Sequence, residues 1–249
     1  YQSLEINLLE ISDKLKKIQK KKINNKKVKW IKKINEVNSG PVIFFGNEFF
    51  DALPIKQIQQ KGNLFFEKYV SLSKNKKIKF LYKKANKNLI NNIRQLDLCN
   101  FGNIIEYPIE AIHYLKIISE KIKRYGGGLL TFDYGYINNK NRDTLQSVKK
   151  HKYSSIYTLP GDADITSHIN FELFSKILKQ NKLSVKKIVT QNEFLQKVGI
   201  IERANLLSKK MNFNSKANLF YRLKKLLDHK EMGNLFKVLF AQKKGSKFS

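Results

Sequence analysis

A single cysteine, four prolines and one tryptophan in 249 residues already close off several protein classes. Cys99 has no partner for an internal disulfide, and zinc sites built from several cysteines are excluded with it. That usage fits a reducing compartment. Long apolar runs are also missing: Val42–Phe45 and Gly128–Phe132 are strand-sized, far below the ~20 residues that span a bilayer. Acidic residues are scarce, 20 Asp and Glu against 49 Lys and Arg, which gives a formal net charge of +29. What is present in quantity is core material: 41% hydrophobic and 12% aromatic residues, enough to fold one large domain or two small ones and to exclude disorder of the whole chain.

The charge and a pI near 10 raise nucleic-acid binding first. Its distribution argues against that reading. The excess is nearly all lysine, scattered from Lys14 to Lys247 beside abundant Asn and Ile, a pattern that A/T-rich codons are sufficient to produce. The arginines that would fork onto phosphates and bases are confined to Arg94, Arg124, Arg142, Arg203 and Arg222. Attraction of anionic partners at long range still follows from the charge.

Periodicity sets the organisation. Leu4–Ile11 reads as a strand with Glu10 at its tip, followed by a helix that Ser12 or Asp13 can cap. A short strand around Val28–Ile31 precedes Val42–Phe45, a continuous apolar run of the kind buried on both faces. The stretch 55–82 alternates in short pieces broken by Gly62 and Ser73–Asn75, which predicts inserted antiparallel hairpins. Helical spacing returns from Ile109 to Ile122, stops at Gly126-Gly127-Gly128, and yields to a strand over Leu129–Phe132 that ends in Asp133-Tyr134-Gly135. The segment 136–170 reads as mostly loop, then come helices over Phe171–Leu178, Gln191–Val198, Ala204–Met211 and Ala217–Leu227, and a closing strand at Leu235–Ala241. Alternating strands and helices predict a mainly parallel, doubly wound α/β sheet, with ligands at the carboxyl ends of its strands. Glu10, the Asn47-Glu48…Asp51 group and Asp133 all fall at such ends, so one crevice can collect them.

Each candidate group has a plainer reading beside the functional one. Glu10 either accepts from the vicinal hydroxyls of a ribose or is a solvated acid near a helix N-terminus. Asn47-Glu48-Phe49-Phe50-Asp51-Ala52-Leu53-Pro54 is either a polar binding loop with large apolar side chains or a capped turn whose phenylalanines are core. The glycine triplet closes a helix and enters a strand, the reverse of a phosphate cradle, so it is a cap and turn. In Pro160–His168 the residues Asp162, Asp164 and His168 lack the spacing of a metal motif, and Ser167 or Asp164 capping the next helix is the simpler account. No metal is expected.

Five segments in order, Asn47–Pro54, Gly127–Gly135, Asp143-Thr144-Leu145-Gln146, Pro160–Thr166 and Lys230-Glu231-Met232-Gly233, resemble the MidA-like family of class I S-adenosyl-L-methionine (SAM)-dependent methyltransferases across Glu10–Phe240. The family includes a mitochondrial complex I assembly factor that is a protein arginine methyltransferase. The resemblance implies a Rossmann-like methyltransferase sheet with inserted hairpins, a single domain over 1–249, and SAM as cofactor, held by Glu10, Asn47 and Asp133. It implies too that the family's glycine-rich SAM loop lies on a strand before Leu4, so that the chain as given would hold only part of the domain, begin within a longer protein, and by itself be an inactive fragment. Lys56 departs from the histidine that many relatives carry there. The acceptor would be a protein, on this resemblance a complex I core subunit, with Glu48, Asp51 and Asn47 gripping and orienting a guanidinium. Phe49, Phe50, Tyr134, Asp162, Asp164 and His168 would line the acceptor side. The location implied is a bacterial cytoplasm or a mitochondrial matrix, with a homodimer through the 55–82 hairpins as an architectural option. A non-catalytic assembly module that keeps the methyltransferase fold is the alternative function.

Overall fold

The computed structural model describes residues 4–74, 78–99, 104–138, 142–149, 152–155, 161 and 163–246. The chain opens with β1 (Ile6–Leu9) and β2 (Val28–Ile31), a parallel pair joined through α1 (Asp13–Lys22). Ser12 starts that helix, its hydroxyl accepting from Leu15 N at 3.3 Å, which satisfies one of the amides a helix leaves unpaired. β3 (Val42–Asn47) then enters the main sheet.

The alternating segment that follows forms a second, antiparallel sheet. β4 (Lys56–Lys61), β5 (Leu64–Leu72) and β6 (Ile78–Lys84) are hairpin-connected, with Gly62 at φ +57° in the two-residue turn between the first two. α2 (Lys87–Gln95), capped by Asn86 and burying Leu89 and Ile93, leads to β7 (Ile104–Tyr107), which pairs with β4 and closes the order β6-β5-β4-β7. α2 and β7 are not expected from the sequence reading; the helix shows only one short apolar repeat among asparagines.

α3 (Ile109–Tyr125) runs into β8 (Gly127–Tyr136), the centre of the main sheet. β3 pairs with β8 in parallel from Val42↔Gly127 to Asn47↔Phe132, and a short strand at Ile169–Asn170 takes over the same direction at Gly135–Tyr136. β9 (Gln146–Lys149), β10 (Lys152–Ser154) and β11 (Asp164–Thr166) form a small antiparallel sheet where the sequence reads as loop. Next come β12 (Ile169–Asn170), α4 (Phe171–Gln180), β13 (Leu183–Val185), β14 (Val189–Thr190), α5 (Gln191–Lys197), α6 (Ile200–Ser208), α7 (Phe213–Leu227) and α8 (Met232–Leu235). β15 (Phe236–Lys243) returns antiparallel along β8, from Phe236↔Tyr134 to Gln242↔Gly128. The main sheet is therefore mixed rather than mainly parallel, because the last strand enters from the opposite end.

One core serves both sheets. Ile112, Leu115, Ile118 and Ile122 recur three or four residues apart along α3 and pack with Leu129, Phe174, Ile177, Leu178 and Leu239. Phe50, 2% exposed, continues that cluster towards Ile58, Ile105, Leu89 and Ile93 of the second sheet. Val42–Phe45 departs from expectation: Ile43 and Phe45 are 69% and 68% exposed, because only one face of β3 is covered by the described residues.

The glycine triplet is resolved residue by residue. Gly126, at φ +79°, ends α3 by donating its N–H to Ile122 O at 2.9 Å, whereas Gly127 and Gly128 already belong to β8. Gly127 sits at φ +100°, and a Cβ there would fall 1.9 Å from Val42 O. Gly127→Ala should therefore lower stability by more than ~2 kcal/mol, since backbone strain and a clash with strand β3 add. A urea midpoint unchanged from wild type, with unchanged slope, would show that β3 can shift to accept the methyl group.

Candidate active site at the carboxyl ends of β3 and β8

Parallel strands end side by side here, and the chain leaves β3 through a turn bound to the tip of β8. Glu48 N donates to Phe132 O at 3.0 Å, extending the pairing by one residue, and Glu48 itself adopts φ +51°. This left-handed residue redirects the chain into the Phe49–Leu53 turn, closed by Leu53 N donating to Phe50 O at 3.2 Å. Asp133 fixes the turn from below. Its Oδ2 accepts from Phe50 N at 3.0 Å and Asp51 N at 3.3 Å, and its Oδ1 accepts from Tyr134 N at 3.0 Å. From the other side Ser167 N donates to Asp51 O at 3.0 Å, bringing the start of β12 against the same turn.

The side chains around this frame form an acidic cluster with an aromatic wall. Tyr134 OH donates to Glu48 Oε2 at 2.8 Å, and Asn47 Nδ2 lies 3.5 Å from Glu48 Oε1. The His168 ring stands 6.4 Å from that of Tyr134, tilted by 33°, and Phe236 meets Tyr134 edge-on at 4.4 Å. Glu48 and Asn47 are exposed, while Asp51 and Asp133 are 3% and 0% exposed. Asp51 Oδ1 is buried without a hydrogen-bond partner among the described residues.

Burial decides the protonation of this cluster. Asp133 is pushed up to about 8, by desolvation first and the Asp51 charge second, against the pull of its three N–H donors. Asp51 is pushed up to about 6 by desolvation and then by Glu48, with Asp164 adding a smaller push. Two buried carboxyls this close titrate as a pair and hold one proton between them near neutral pH. Desolvation and the neighbouring Glu48 hold the Tyr134 phenol protonated far above its ordinary range, so it acts as a donor. Burial, then the positive charges of Arg142 and Lys237, keep the His168 ring neutral.

The structure brings Asn47, Glu48, Asp51, Asp133, Tyr134 and His168 together, with Asp164 within electrostatic reach on β11. Several expected roles change. Asp133 cannot serve a cofactor in this geometry, because both oxygens already receive backbone N–H groups and no surface is left. Asp51 is buried, so its carboxyl is not presented for direct contact with an acceptor. Phe50 is core, edge-on to Phe174 at 5.1 Å, and Phe49 packs edge-on against Phe50 and Tyr114, so neither forms an acceptor wall. The helix after Pro160–His168 is capped by Asn170, whose side chain accepts from Leu173 N, not by Ser167 or Asp164. Asp162 lies outside the described residues.

Glu10 is placed elsewhere, at the end of β1. Its Oε1 accepts from Ser12 N at 2.8 Å and its Oε2 from Gln19 Nε2 at 2.9 Å, and Gln19 in turn accepts from Trp30 Nε1 at 2.8 Å. Each carboxylate oxygen keeps lone pairs beyond its one donor, so the group fits a diol, as the exposed Asn47 amide fits a polar ligand atom. Among the described residues no group of three His, Cys, Asp or Glu is placed to hold a metal, and no helix is long and apolar enough to cross a membrane. Sequence reasoning missed Glu106, Thr144 and Gln57, a hydrogen-bonded group that reaches the His168 backbone N–H through the Thr144 hydroxyl; Thr144 stood in a noted motif but carried no role.

Parallel strands with a polar site at their carboxyl ends define an α/β protein of the ligand-binding, open-sheet class. Residues 1–189 match the family described as "Putative S-adenosyl-L-methionine-dependent methyltransferase", and the chain belongs to that family. It is similar to the mitochondrial protein arginine methyltransferase NDUFAF7 of Xenopus tropicalis, 27% identical over 94% of this chain and 59% of that protein. The Caenorhabditis elegans homologue is 31% identical over 72% of this chain and 42% of that one. The chain thus spans about half the length of the curated relatives it matches. A Burkholderia thailandensis crystal structure bound to S-adenosyl-homocysteine shares the fold, with TM-score 0.78 and 21% identity over 96% of this chain and 64% of that one.

The buried pair gives stability a definite pH dependence. Carboxyls raised in the folded state bind protons that the unfolded chain releases near pH 4, so their contribution is full below that point and is lost as pH rises through about 6 and 8. Asp51→Asn should therefore gain stability relative to wild type as pH goes from 5 to 8. Urea unfolding of both proteins across that range checks it; a constant difference would mean that the pair is ionised throughout.

Proposed function

We propose that the protein transfers a methyl group from SAM to an arginine side chain of a protein, with Glu48 as the group that receives the guanidinium. The observation that carries this is Glu48 itself: an exposed carboxylate, oriented by the Tyr134 hydroxyl at 2.8 Å, in front of two buried acids. Family membership supports the reaction class, and the names of the animal relatives support the acceptor.

A guanidinium stays charged at any workable pH, so an enzyme positions it and shapes its charge rather than deprotonating it in advance. Glu48 can pair with two of its N–H groups at once and leave the third nitrogen to react. Asp51, with Asp133 protonated beside it near neutral pH, holds negative potential behind that contact. Tyr134 and His168 give the planar cation an aromatic side wall. Glu10 and Asn47 are the side chains that would hold the cofactor, which when bound supplies an electrophilic methyl. With the methyl group supplied by the cofactor, which would leave as the neutral thioether, the proton given up by the methylated nitrogen would pass to solvent water, because Glu48 stays paired with the other two nitrogens. Alignment and exclusion of water supply the rest of the rate.

A core subunit of respiratory complex I as acceptor, and a mitochondrial matrix or bacterial cytoplasmic location, belong to the same proposal and rest on the family resemblance. The exposed Val70 and Leu72 of β5 give a homodimer its candidate surface.

In the whole protein, Glu48→Gln should cut kcat/KM for methyl transfer about a hundredfold while leaving SAM affinity within about twofold. Transfer at the wild-type rate would remove Glu48 from the acceptor contact. Calorimetry showing no SAM binding by the whole protein would favour the non-catalytic assembly module instead.

A further inference from the structure

Glu106 belongs to β7, in the second sheet, and faces the loop side of the site with three hydrogen bonds. Its Oε1 accepts from Gln57 Nε2 and from Thr144 N, both at 2.9 Å, and its Oε2 accepts from the Thr144 hydroxyl at 2.6 Å. All three contacts donate to the carboxylate, so the ionised form matches its surroundings although burial works against it. With its proton directed at Glu106, the Thr144 oxygen presents a lone pair to His168 N, which donates to it at 2.9 Å. The preceding amide, Ser167 N, goes the other way, to Asp51 O. Two successive N–H groups thus clamp the chain at His168 between the β3 turn and the Glu106–Thr144 pair.

We infer that Glu106 and Thr144 are positioning residues that set the His168 ring against Tyr134, and that through them the second sheet shapes the acceptor side of the methyl-transfer site. The inference rests on the methyltransferase reading. It concerns acceptor binding alone, because neither residue contacts Glu10 or Asn47 among the described hydrogen bonds. The polar chain is directional. Replacing the hydroxyl by a methyl group removes both the donor to Glu106 and the acceptor for His168, whereas serine keeps both.

The test compares wild type, Thr144→Val and Thr144→Ser as whole proteins, with radiolabelled SAM and a mixture of short arginine-containing peptides as the acceptor probe. Thr144→Val should raise the acceptor KM about tenfold with kcat and SAM affinity within about twofold, and should speed amide exchange at His168; Thr144→Ser should restore both. An unimpaired Thr144→Val, a Thr144→Ser as impaired as Thr144→Val, or a parallel loss of SAM affinity would each overturn the positioning role. If Thr144→Val does not fold, Glu106→Gln, which keeps the shape and the Oε1 acceptor but cannot accept the Thr144 proton, carries the same expectation. A wild-type protein that methylates nothing sinks the arginine methyltransferase reading and the inference with it, whereas an active wild type with an unimpaired variant sinks the inference alone.

Discussion

The carboxylate of Asp133 is the joint on which the site depends. A strand that ends without a partner leaves amides unpaired, and the turn after β3 has two of them, at Phe50 and Asp51, pointing into a space from which water is excluded. One buried acid satisfies both and also the amide of its own neighbour, Tyr134. The tip of β8 therefore fixes the shape of the β3 turn. That turn in turn fixes which residues face inward: Phe50 goes into the core, Asp51 lies beneath, and Glu48 stays outside where Tyr134 can hold it.

The cost is charge. A carboxyl with no surface, next to another with almost none, would rather be neutral, and only the three amides offset the lost hydration of Asp133. Burial raises Asp133 further than Asp51, so near neutral pH Asp133 keeps its proton and Asp51 carries the charge. Their residual negative charge then lies in a low-dielectric position directly behind an exposed carboxylate, where a cation from solvent would meet it. Neutral His168 and the protonated Tyr134 add no opposing charge of their own.

Much of this frame was legible in the sequence because local physics fixes it. The hairpins over 55–82, the long helix from Ile109, the strand ending at Asp133-Tyr134 and the helix from Phe171 follow from apolar period and from glycine at the turns. The assembly of Glu48, Asp51 and Asp133 was legible too, since parallel strands end at one edge. Side-chain direction was not. Phe50 and Asp51 are neighbours in a turn whose form is set by a residue 82 positions away from Asp51, and no local pattern says that both are covered while Glu48 stays exposed. β9, β10 and β11 escaped notice because short strands with mixed polarity look like loop, and the exposed face of β3 escaped because a run of four apolar residues reads as covered on both sides. Thr144 and Glu106 were invisible for a related reason: their meaning lies in a contact 38 residues apart.

The chain's charge of +29 runs against the proposed reception of a cation at this site, and distance resolves the conflict. At physiological ionic strength the screening length is about 8 Å, so lysines spread over a surface repel a basic segment only weakly until it is nearly in contact. Within contact range the nearest groups dominate; around Glu48 those are Asp51 and Asp164, while the cations Arg142 and Lys237 stand on the His168 side. The field at Glu48 is thus opposite in sign to the global one. On the proposed reading this has a selective consequence: an arginine presented on an acidic stretch of protein gains from the lysine-rich surface and from the acidic pocket alike, whereas an arginine in a basic tract gains only from the pocket.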